Sequence, residues 1–491
     1  MKGTIHVLGY DFGASSGRAM LGELTNGKLT LTEVHRFSND PVILNGRFVW
    51  DVPRLFFEMK QALVKVAKMG VKLDGIGVDT WGVDFGLLDK NGNLVALPVH
   101  YRDHMTDGMM EKAFEIVPKK EIFAKTGLAF LQFNTLYQLL ALKDDPVLQI
   151  AEKLAFMPDL LMYLLTGELG TEYTIASTSQ LVDPVARDWS WDIIRAFGLP
   201  ERLFTPIQPA GSVRGTLLPE IAEETGVKQV PVIAVGTHDT ASAVAAVPAQ
   251  EARFAYISSG TWSLLGAETE RPLLDASVME WNYTNEGGVC GKTRLLQNIM
   301  GLWIIQECKR EWDRKGEVVD FGELVKMAEQ APAFRSIIDV DDPRFLPTGD
   351  MLGRIQGYCR ETGQPVPQTK GEFSRLIYES LALKYRLCVE RLERDLLGHK
   401  VDVLHIVGGG SKNVMLNQFT ANALRIPVIA GPSEGTVIGN LLMQAMALGA
   451  FDSLASLRAC VAASFPTETF QPEDEEKAWD EAYARLLALG K

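Results

Sequence analysis

The pattern of apolar and polar positions in the first 80 residues predicts three strands, a helix and a fourth strand. Residues 5–37 contain two apolar runs and one alternating run. A Gly-rich turn at 11–17 and the hairpin dipeptide Asn26-Gly27 separate these runs. A helix is predicted at 52–69, followed by a buried strand at 75–80. The apolar face of that helix is formed by Leu55, Met59, Leu63 and Val66. This succession predicts a mixed sheet covered by helices.

The second half of the chain repeats this pattern loosely. Residues 255–260 predict a strand that enters a glycine turn, and 261–268 predict the strand that returns from it. A long helix at 372–396 precedes a strand at 403–407, three glycines and a helix that begins near Asn413. Such a duplication indicates two similar domains. Their boundary is expected near Pro248, which gives domains at 1–247 and 248–491.

Composition and charge narrow the class of protein. The chain has 491 residues, 46% of them hydrophobic and 23% charged, which is typical of a globular protein of two domains. Its net charge of −13 disfavours nucleic acid and anionic membranes as partners. Five cysteines without C-x-x-C spacing indicate reduced thiols rather than a disulfide framework or a zinc site. Without a signal segment or an apolar span, the expected location is the cytoplasm.

Three turns rich in small residues are candidates for binding phosphate or a nucleotide. In the first, residues 11–18, glycines and serines can bring N–H and O–H donors to an anion. Asp11 at its start is placed to hold Mg²⁺, mainly through water. A similar turn lies at 258–263, and the third is Gly408-Gly409-Gly410. Three glycines exceed what a simple strand-to-helix turn requires, which favours a ligand there.

Two segments suggest a sugar site. Asp239 follows the predicted strand at 232–235, and its carboxylate could accept the proton of an attacking hydroxyl. The alternative role for Asp239 is a helix N-cap, and His238 could bind sugar or be structural. Trp81 before Gly82 offers an apolar face, although for Trp81 alone the favoured role is core packing. The Walker-like run at 286–293 is rejected, because Glu286 replaces the required first glycine.

Several of these segments, in this order, resemble the FGGY carbohydrate kinases. The resemblance spans nearly the whole chain and thins at 139–155 and 184–230. The matching segments are 11–18, 78–85, 100–103, 133–138, 157–159, 238–244, 258–264, 284–288, 298–303 and 405–410.

The resemblance implies an α/β protein with two actin-like (ribonuclease-H-like) ATPase domains and a catalytic cleft between them. It implies ATP-dependent phosphorylation of a ketose with Mg²⁺, with Asp239 as the catalytic base and Asp11 positioning the metal. The implied nucleotide-binding positions are Ala14, Ser15, Ser16, Gly17, Arg18, Thr261, Gln306 and Gly409. The implied sugar-binding positions are Gly82, His238, Asp239, Thr240 and Asn298.

The expected substrate is L-rhamnulose, because the resemblance is strongest to the members that phosphorylate this ketose at its 1-hydroxyl in rhamnose catabolism. L-Fuculose and xylulose remain alternatives, since only the pocket's hydrogen bonds distinguish related sugars. An alternative of another class is a non-catalytic actin-like nucleotide-binding protein. Trp81-Gly82 and His238-Asp239 argue against it, because a nucleotide clamp has no use for them. The sequence leaves monomer and homodimer open.

Overall fold

The computed structural model describes residues 3–473 and 476–489. Its strands are β1 Ile5–Phe12, β2 Ser16–Thr25, β3 Lys28–Ser38, β4 Val42–Leu44, β5 Arg47–Val49, β6 Gly75–Thr80, β7 Phe85–Leu88, β8 Lys153–Phe156, β9 Thr171–Glu172, β10 Val182–Asp183, β11 Asp188–Trp189, β12 Ile207–Gln208, β13 Ser212–Thr216, β14 Pro231–Ala234, β15 Phe254–Ser259, β16 Ser263–Thr269, β17 Thr284–Gly287, β18 Thr293–Ile299, β19 Val403–Val407, β20 Val428–Ala430 and β21 Glu468–Phe470.

The α-helices are α1 Val52–Lys68, α2 Met109–Ile116, α3 Lys119–Thr126, α4 Thr135–Ala141, α5 Pro146–Ile150, α6 Met157–Thr166, α7 Tyr173–Ala176, α8 Trp191–Ala196, α9 Pro219–Thr225, α10 Asp239–Ala245, α11 Ala276–Glu280, α12 Trp303–Arg314, α13 Phe321–Glu329, α14 Met351–Glu361, α15 Lys370–Arg391, α16 Val414–Leu424, α17 Gly435–Ala447, α18 Leu454–Ser464 and α19 Glu476–Leu489. The strands and helices predicted from the sequence pattern are all present, which confirms a mixed α/β fold.

The chain forms two compact units. The first contains Met1–Pro248, Glu268–Leu295 and Gly435–Ser464, and the second contains Ala249–Ala267, Leu296–Glu434 and Phe465–Lys491. Within the described ranges, no helix combines the length and the apolar character needed to cross a bilayer.

The first unit is built on a six-stranded sheet in the order β13-β14-β6-β1-β2-β3. Strand β1 pairs antiparallel with β2 and parallel with β6, and β14 pairs parallel with β6. Asp11 therefore lies opposite Arg18 on one side and opposite Asp79 on the other. The carboxyl ends of β1, β6 and β14 meet at one edge of this sheet.

Helix α1 covers this sheet with the apolar face that its periodicity predicts. Asp51 caps its first turn by accepting a hydrogen bond from the Arg54 amide at 3.1 Å. Leu55, Met59, Leu63 and Val66 are all buried in the core of the first unit. Burying each such side chain contributes about 1.5–3 kcal/mol, so this face anchors the helix.

Helix α17 belongs to the first unit although it lies late in the sequence. It packs against β1, β6 and α10. A Cβ on Gly439 would lie 1.8 Å from the Ser242 carbonyl oxygen, so only glycine permits this approach to α10. From the same helix, Asn440 Nδ2 donates to the Asp79 carboxylate at 2.6 Å.

The second unit contains a run of strands in the order β16-β15-β19-β20-β21. Strand β15 pairs antiparallel with β16 and parallel with β19, as β1 does with β2 and β6. Helix α15 starts with a capping box between Thr369 and Glu372, and a π-helical turn at Leu392–Leu397 ends it. The shared strand arrangement confirms the internal duplication seen in the sequence.

Candidate active site

Three aspartates follow or end neighbouring parallel strands of the first sheet. Asp11 lies in β1, Asp79 in β6, and Asp239 follows β14 after a short loop. In open α/β sheets, ligands bind beyond the carboxyl ends of such strands. The carboxylates also influence one another, since Asp11 raises the pKa of both Asp79 and Asp239. The first unit therefore gathers negative charge at one sheet edge.

Asp79 is fully buried, and its two oxygens have different surroundings. Oδ2 accepts the hydrogen bond from Asn440, whereas Oδ1 has no hydrogen-bond partner among the residues that the structure describes. Burial raises the pKa of Asp79 well above its usual value, and the Asp11 carboxylate adds to that rise. An orphaned buried oxygen beside like charge is the environment in which a cation would be stabilised.

The carboxylate of Asp11 is paired with a guanidinium. Arg18 donates to Oδ2 of Asp11 from Nε at 3.0 Å and from a terminal nitrogen at 2.8 Å. These two charge-assisted hydrogen bonds to one carboxylate oxygen hold both side chains at the end of the turn. In the part of the chain that the structure describes, no group of three or more His, Cys, Asp and Glu side chains is arranged to hold a metal ion. Mg²⁺ that keeps several waters needs only one or two protein carboxylates, which Asp11 and Asp79 fit.

The first phosphate turn, residues 13–16, is fixed by the backbone. The Gly13 amide donates to the Ser16 carbonyl at 2.9 Å, and Asn39 binds the turn through both its amide and its side chain. Gly17, which follows this turn, also has a packing role. A Cβ there would lie 2.2 Å from the Phe37 ring, so the small residue makes room for a core aromatic.

Asp239 is the first residue of α10, and the N-cap of that helix is His238. The alternative that Asp239 itself is the N-cap is therefore wrong. Its side chain is 34% exposed, and its Oδ1 accepts the Thr240 amide at 2.6 Å. Desolvation raises the pKa of Asp239, partly offset by His238 and then reinforced by Asp11. A partly exposed carboxylate with a raised pKa is suited to accept a proton.

The loop that carries Asp239 is held by hydrogen bonds to the side chain of Glu172. This buried carboxylate accepts hydrogen bonds from the Thr237 hydroxyl at 2.6 Å and the Thr174 hydroxyl at 2.5 Å. The Thr174 hydroxyl in turn accepts the His238 amide at 3.2 Å. These bonds fix the backbone from which His238 and Asp239 project.

The His238 ring lies between Asp239 and a buried ion pair. Its Nε2 is 3.3 Å from Asp239 Oδ1, and its Nδ1 is 3.0 Å from a terminal nitrogen of Arg294. Glu286 lies 3.1 Å from the same guanidinium nitrogen. Burial opposes ionisation of Glu286, but its pKa is nevertheless lowered, chiefly by the Arg294 guanidinium. The Walker-like run starting at Glu286 joins strands β17 and β18, which confirms its rejection as a phosphate loop.

Gly82 lies next to this histidine. A Cβ on Gly82 would meet Thr178 side-chain atoms at 3.2–3.3 Å and His238 Nε2 at 3.4 Å. The next residue, Val83, has a φ of 68°, which is strained for a β-branched side chain. Its amide and carbonyl are fixed by the hydroxyls of Thr178 and Thr135. Strain held in this way makes the segment a candidate for a functional role.

A buried carboxylate organises an aromatic cluster behind Gly82. Asp84 accepts hydrogen bonds from the indoles of Trp50 at 2.7 Å and Trp81 at 3.0 Å. The Tyr101 amide and the Gln138 side chain also donate to it. The two indole rings lie 3.9 Å apart, which confirms the core-packing role considered for Trp81. Burial raises the pKa of Asp84 to about 7, although its four donors oppose that rise.

Three of the expected nucleotide-binding positions, Thr261, Gln306 and Gly409, lie in the second unit. The Thr261 hydroxyl donates to Gln306 at 3.2 Å, and the Trp303 amide donates to the Thr261 carbonyl at 3.0 Å. Gly409 follows β19 and starts a 3₁₀ turn at Gly409–Lys412. Asn298 lies in β18 and is half-buried.

The three glycines at 408–410 have different surroundings. A Cβ on Gly408 would meet the Ser259 carbonyl oxygen at 2.8 Å, and one on Gly410 would meet the Ser259 hydroxyl at 2.0 Å. Both glycines are therefore needed for close approach to β15, a packing role that the sequence did not reveal. A Cβ on Gly409 would meet no described atom within 4 Å, so the space beside this glycine is open.

Sequence reasoning missed Asp79, Asp84 and the Glu286–Arg294 pair. Asp79 and Asp84 lie in the matching segment 78–85, in which Trp81 and Gly82 were the residues interpreted as a sugar site. The sequence could have indicated both Asp79 and Asp84, because a carboxylate inside an apolar strand or turn is buried and requires hydrogen-bond or charge partners. Nothing in the local sequence linked Arg294 to His238.

Comparison with known proteins identifies related chains. The model of the FGGY family of carbohydrate kinases, N-terminal domain, matches residues 6–246, and that of the C-terminal domain matches 255–448. A rhamnulokinase of Bacteroides thetaiotaomicron is 46% identical, and the match covers 96% of this chain and 97% of that protein. A rhamnulokinase of Pectobacterium atrosepticum is 45% identical, with coverage of 96% and 94%.

Solved structures are similar in fold. Xylulose kinase from Lactobacillus acidophilus superimposes with a TM-score of 0.84, covering 99% of this chain and 97% of that one, at 15% identity. Plasmodium falciparum glycerol kinase with ADP gives a TM-score of 0.78 at 17% identity, covering 99% and 98%. At 15–17% identity, these similarities establish the fold of this chain and nothing further.

Proposed function

Because the chain belongs to the FGGY family of carbohydrate kinases, we propose that it transfers the γ-phosphoryl group of ATP to the 1-hydroxyl of L-rhamnulose. The products would be L-rhamnulose 1-phosphate and ADP. The observation that supports L-rhamnulose as the substrate is the 46% identity, over nearly the full length of both chains, to a protein named rhamnulokinase. The cluster of Asp11, Asp79 and Asp239 at one sheet edge supports phosphoryl chemistry at this place.

Asp239 is the proposed catalytic base. Its carboxylate projects from the start of α10, is one-third exposed, and is held by the backbone amide of Thr240. These features support a group that takes the proton from the sugar hydroxyl as that oxygen attacks phosphorus. General-base assistance contributes about 10²–10⁴-fold to rate, and positioning and electrostatics supply much of the remainder.

Asp11 and Asp79 are the residues we propose to hold Mg²⁺, directly or through water. The ion, when bound with ATP, would offset negative charge on the phosphates. Asp11 also keeps Arg18 at the turn whose amides and serine hydroxyls, at Ala14, Ser15, Ser16 and Gly17, are proposed to contact phosphate. The orphaned Oδ1 of Asp79 supports this assignment.

The remaining binding positions are divided between the two halves of the chain. We assign ATP contacts to Thr261, Gln306 and Gly409, supported by the hydrogen bond between Thr261 and Gln306 and by the open space at Gly409. Sugar contacts are assigned to Gly82, His238, Thr240 and Asn298. Residues 1–247 would thus supply the base and the first phosphate turn, and 248–491 most nucleotide contacts. The proposed location is the cytoplasm, where ATP is available and the five free thiols stay reduced.

A panel of sugars tests the substrate. ADP release is followed with Mg·ATP and L-rhamnulose, L-fuculose, L-ribulose, L- and D-xylulose or glycerol. The proposal predicts the highest kcat/KM for L-rhamnulose. A higher value for another ketose would overturn the substrate, whereas nucleotide binding without sugar-dependent turnover would favour a non-catalytic actin-like protein.

A further inference from the structure

The side chain of Arg294 is a fully buried charge close to the proposed base. It is 0% exposed, and its Nε donates to the Gly287 carbonyl at 2.8 Å. The Gly287 amide is held in turn by the Ser177 hydroxyl at 2.7 Å. Glu286, 8% exposed, lies 3.1 Å from the guanidinium. Arg294 is therefore fixed by the strands on which it and Glu286 lie, independently of any ligand.

The contact between Arg294 and His238 determines where the imidazole carries its proton. A guanidinium can only donate hydrogen bonds, so Nδ1, at 3.0 Å, is the acceptor. The ring proton is then on Nε2, which faces Asp239 Oδ1 at 3.3 Å. Glu286 Oε2 is 3.4 Å from Nδ1, yet it accepts no aligned hydrogen bond from any described residue. That geometry agrees with an unprotonated Nδ1.

We propose that Arg294 is a positioning residue for the reaction: it fixes the His238 tautomer whose Nε2–H faces and orients the Asp239 carboxylate. Glu286 holds Arg294 and balances its charge, so that the guanidinium does not act on Asp239 as an uncompensated cation. This inference rests on the proposed function, since it concerns the residue proposed as the base. No covalent step is added, because Arg294 acts only through the histidine.

Without Arg294, the imidazole would lose its fixed donor at Nδ1. The ring could then carry its proton on Nδ1 and donate to Glu286, which leaves Nε2 as a lone pair facing the Asp239 carboxylate. Two acceptors in contact repel, so the carboxylate would move or lose its orientation. A misplacement of about 1 Å at a reacting group can cost about 10²-fold in rate.

The test combines kinetics with the spectroscopic signature of the tautomer. Imidazole ¹⁵N–¹H spectra of histidine-labelled full-length protein are recorded, and the His238 signals are assigned by their loss in His238→Asn. The native protein should show an unprotonated Nδ1 and a protonated Nε2. In Arg294→Met the two nitrogen shifts should converge as tautomers mix, and kcat should fall about 10- to 100-fold with KM for ATP within about twofold.

Matched variants separate positioning from general damage. Arg294→Lys keeps a donor for Nδ1 and should recover part of kcat and the native His238 shifts. Arg375→Met removes an arginine that pairs with Glu379 at 2.7 Å in the second unit, and should leave both readouts unchanged. If Arg294→Met does not fold, Glu286→Gln keeps the side-chain volume and should show a smaller change of the same kind.

The outcomes distinguish this inference from the proposed function. Native His238 shifts in Arg294→Met, or wild-type kcat in that variant while Asp239→Asn is inactive, would overturn the role of Arg294 alone. Full turnover by Asp239→Asn would overturn the proposed base, and with it the role assigned to Arg294.

Discussion

The close approach of helices α10 and α17 predicts that one added methyl group will disturb catalysis from outside the binding site. In Gly439→Ala the new Cβ would lie 1.8 Å from the Ser242 carbonyl oxygen, whereas real Cβ contacts are essentially never shorter than 3.0 Å. The helices must therefore separate by about 3.0 − 1.8 = 1.2 Å. The obstacle is backbone, so rotation of a side chain cannot relieve it.

This displacement can disturb the carboxylates of Asp79 and Asp239 in two ways. Ser242 belongs to the helix that Asp239 begins, and its amide bonds the His238 carbonyl at 3.2 Å. If α17 moves instead, the neighbouring Asn440 is drawn away from Asp79, to which it donates at 2.6 Å. Since a 1 Å shift of a reacting group costs about 10²-fold, kcat should fall by about that factor. Overpacking should also lower the free energy of unfolding by about 1–3 kcal/mol.

The assay is ADP release with Mg·ATP and L-rhamnulose, together with thermal unfolding of the same preparation. Gly357→Ala is the matched control, because Gly357 is also helical and its Cβ would meet nothing in the described chain within 4 Å. That variant should keep kcat and gain about 0.5–1 kcal/mol of stability. Wild-type kcat and melting temperature in Gly439→Ala would refute the reasoning.

Three further predictions concern Asp84, Gly82 and Cys290. The pKa of Asp84 is raised to about 7 in the folded state, whereas that of an unfolded aspartate is near 4. Protonation of Asp84 therefore stabilises the folded state fully below about pH 4, and this stabilisation is lost as the pH rises to 7. Asp84→Asn should therefore destabilise the protein more at pH 4 than at pH 7, as measured by urea unfolding. Gly82→Ala should raise KM for L-rhamnulose about tenfold and leave KM for ATP unchanged, because its Cβ would press against Thr178 and fill space beside His238. Iodoacetamide should modify Cys290 first, since it is exposed and the other four thiols are buried. The reaction should be slower than with free cysteine, because desolvation of the thiol by its neighbours and the Glu268 carboxylate raise the pKa of Cys290.

Each of these predictions has a control and a contradicting result. Asp89→Asn replaces an exposed carboxyl whose pKa is lowered, chiefly by a backbone hydrogen bond from Asn93, and should show the opposite pH trend to Asp84→Asn. Equal destabilisation by Asp84→Asn at both pH values would contradict the raised pKa. An unchanged KM for the sugar in Gly82→Ala would remove that position from the pocket. Modification of Cys308 before Cys290 in the native protein would contradict the burial pattern.

Local periodicity was sufficient to predict the frame of both units. Alternation and apolar runs located β1, β2, β3 and β6, and the spacing of Leu55, Met59, Leu63 and Val66 located α1, because these patterns depend only on which face is buried. The late helix α17 was not assigned to the first unit. Its place depends on contacts of Gly439 and Asn440 with residues about 200 and 360 positions earlier, which no local window contains.

Residues of the candidate site could be predicted where they lie in a turn or in a segment that resembles the family. Residues that affect the site only through a contact with another side chain could not. Asp11, His238 and Asp239 stood out at strand ends. Arg294 and Glu286 did not, because their importance arises from a 3.0 Å contact with His238 across the fold. For Gly17, Gly408 and Gly410 the residue type was noticed but its packing role was not, since packing partners such as Phe37 and Ser259 lie outside the turn.

The most direct test of the account is a single-turnover measurement of phosphoryl transfer from γ-labelled ATP to L-rhamnulose by the wild type and by Asp239→Asn. Nucleotide binding is measured on the same samples. The account predicts labelled L-rhamnulose 1-phosphate from the wild type and a transfer rate at least about 10²-fold lower in Asp239→Asn, with ATP still bound. Transfer at the wild-type rate by Asp239→Asn, or no labelled sugar from the wild type, would contradict it.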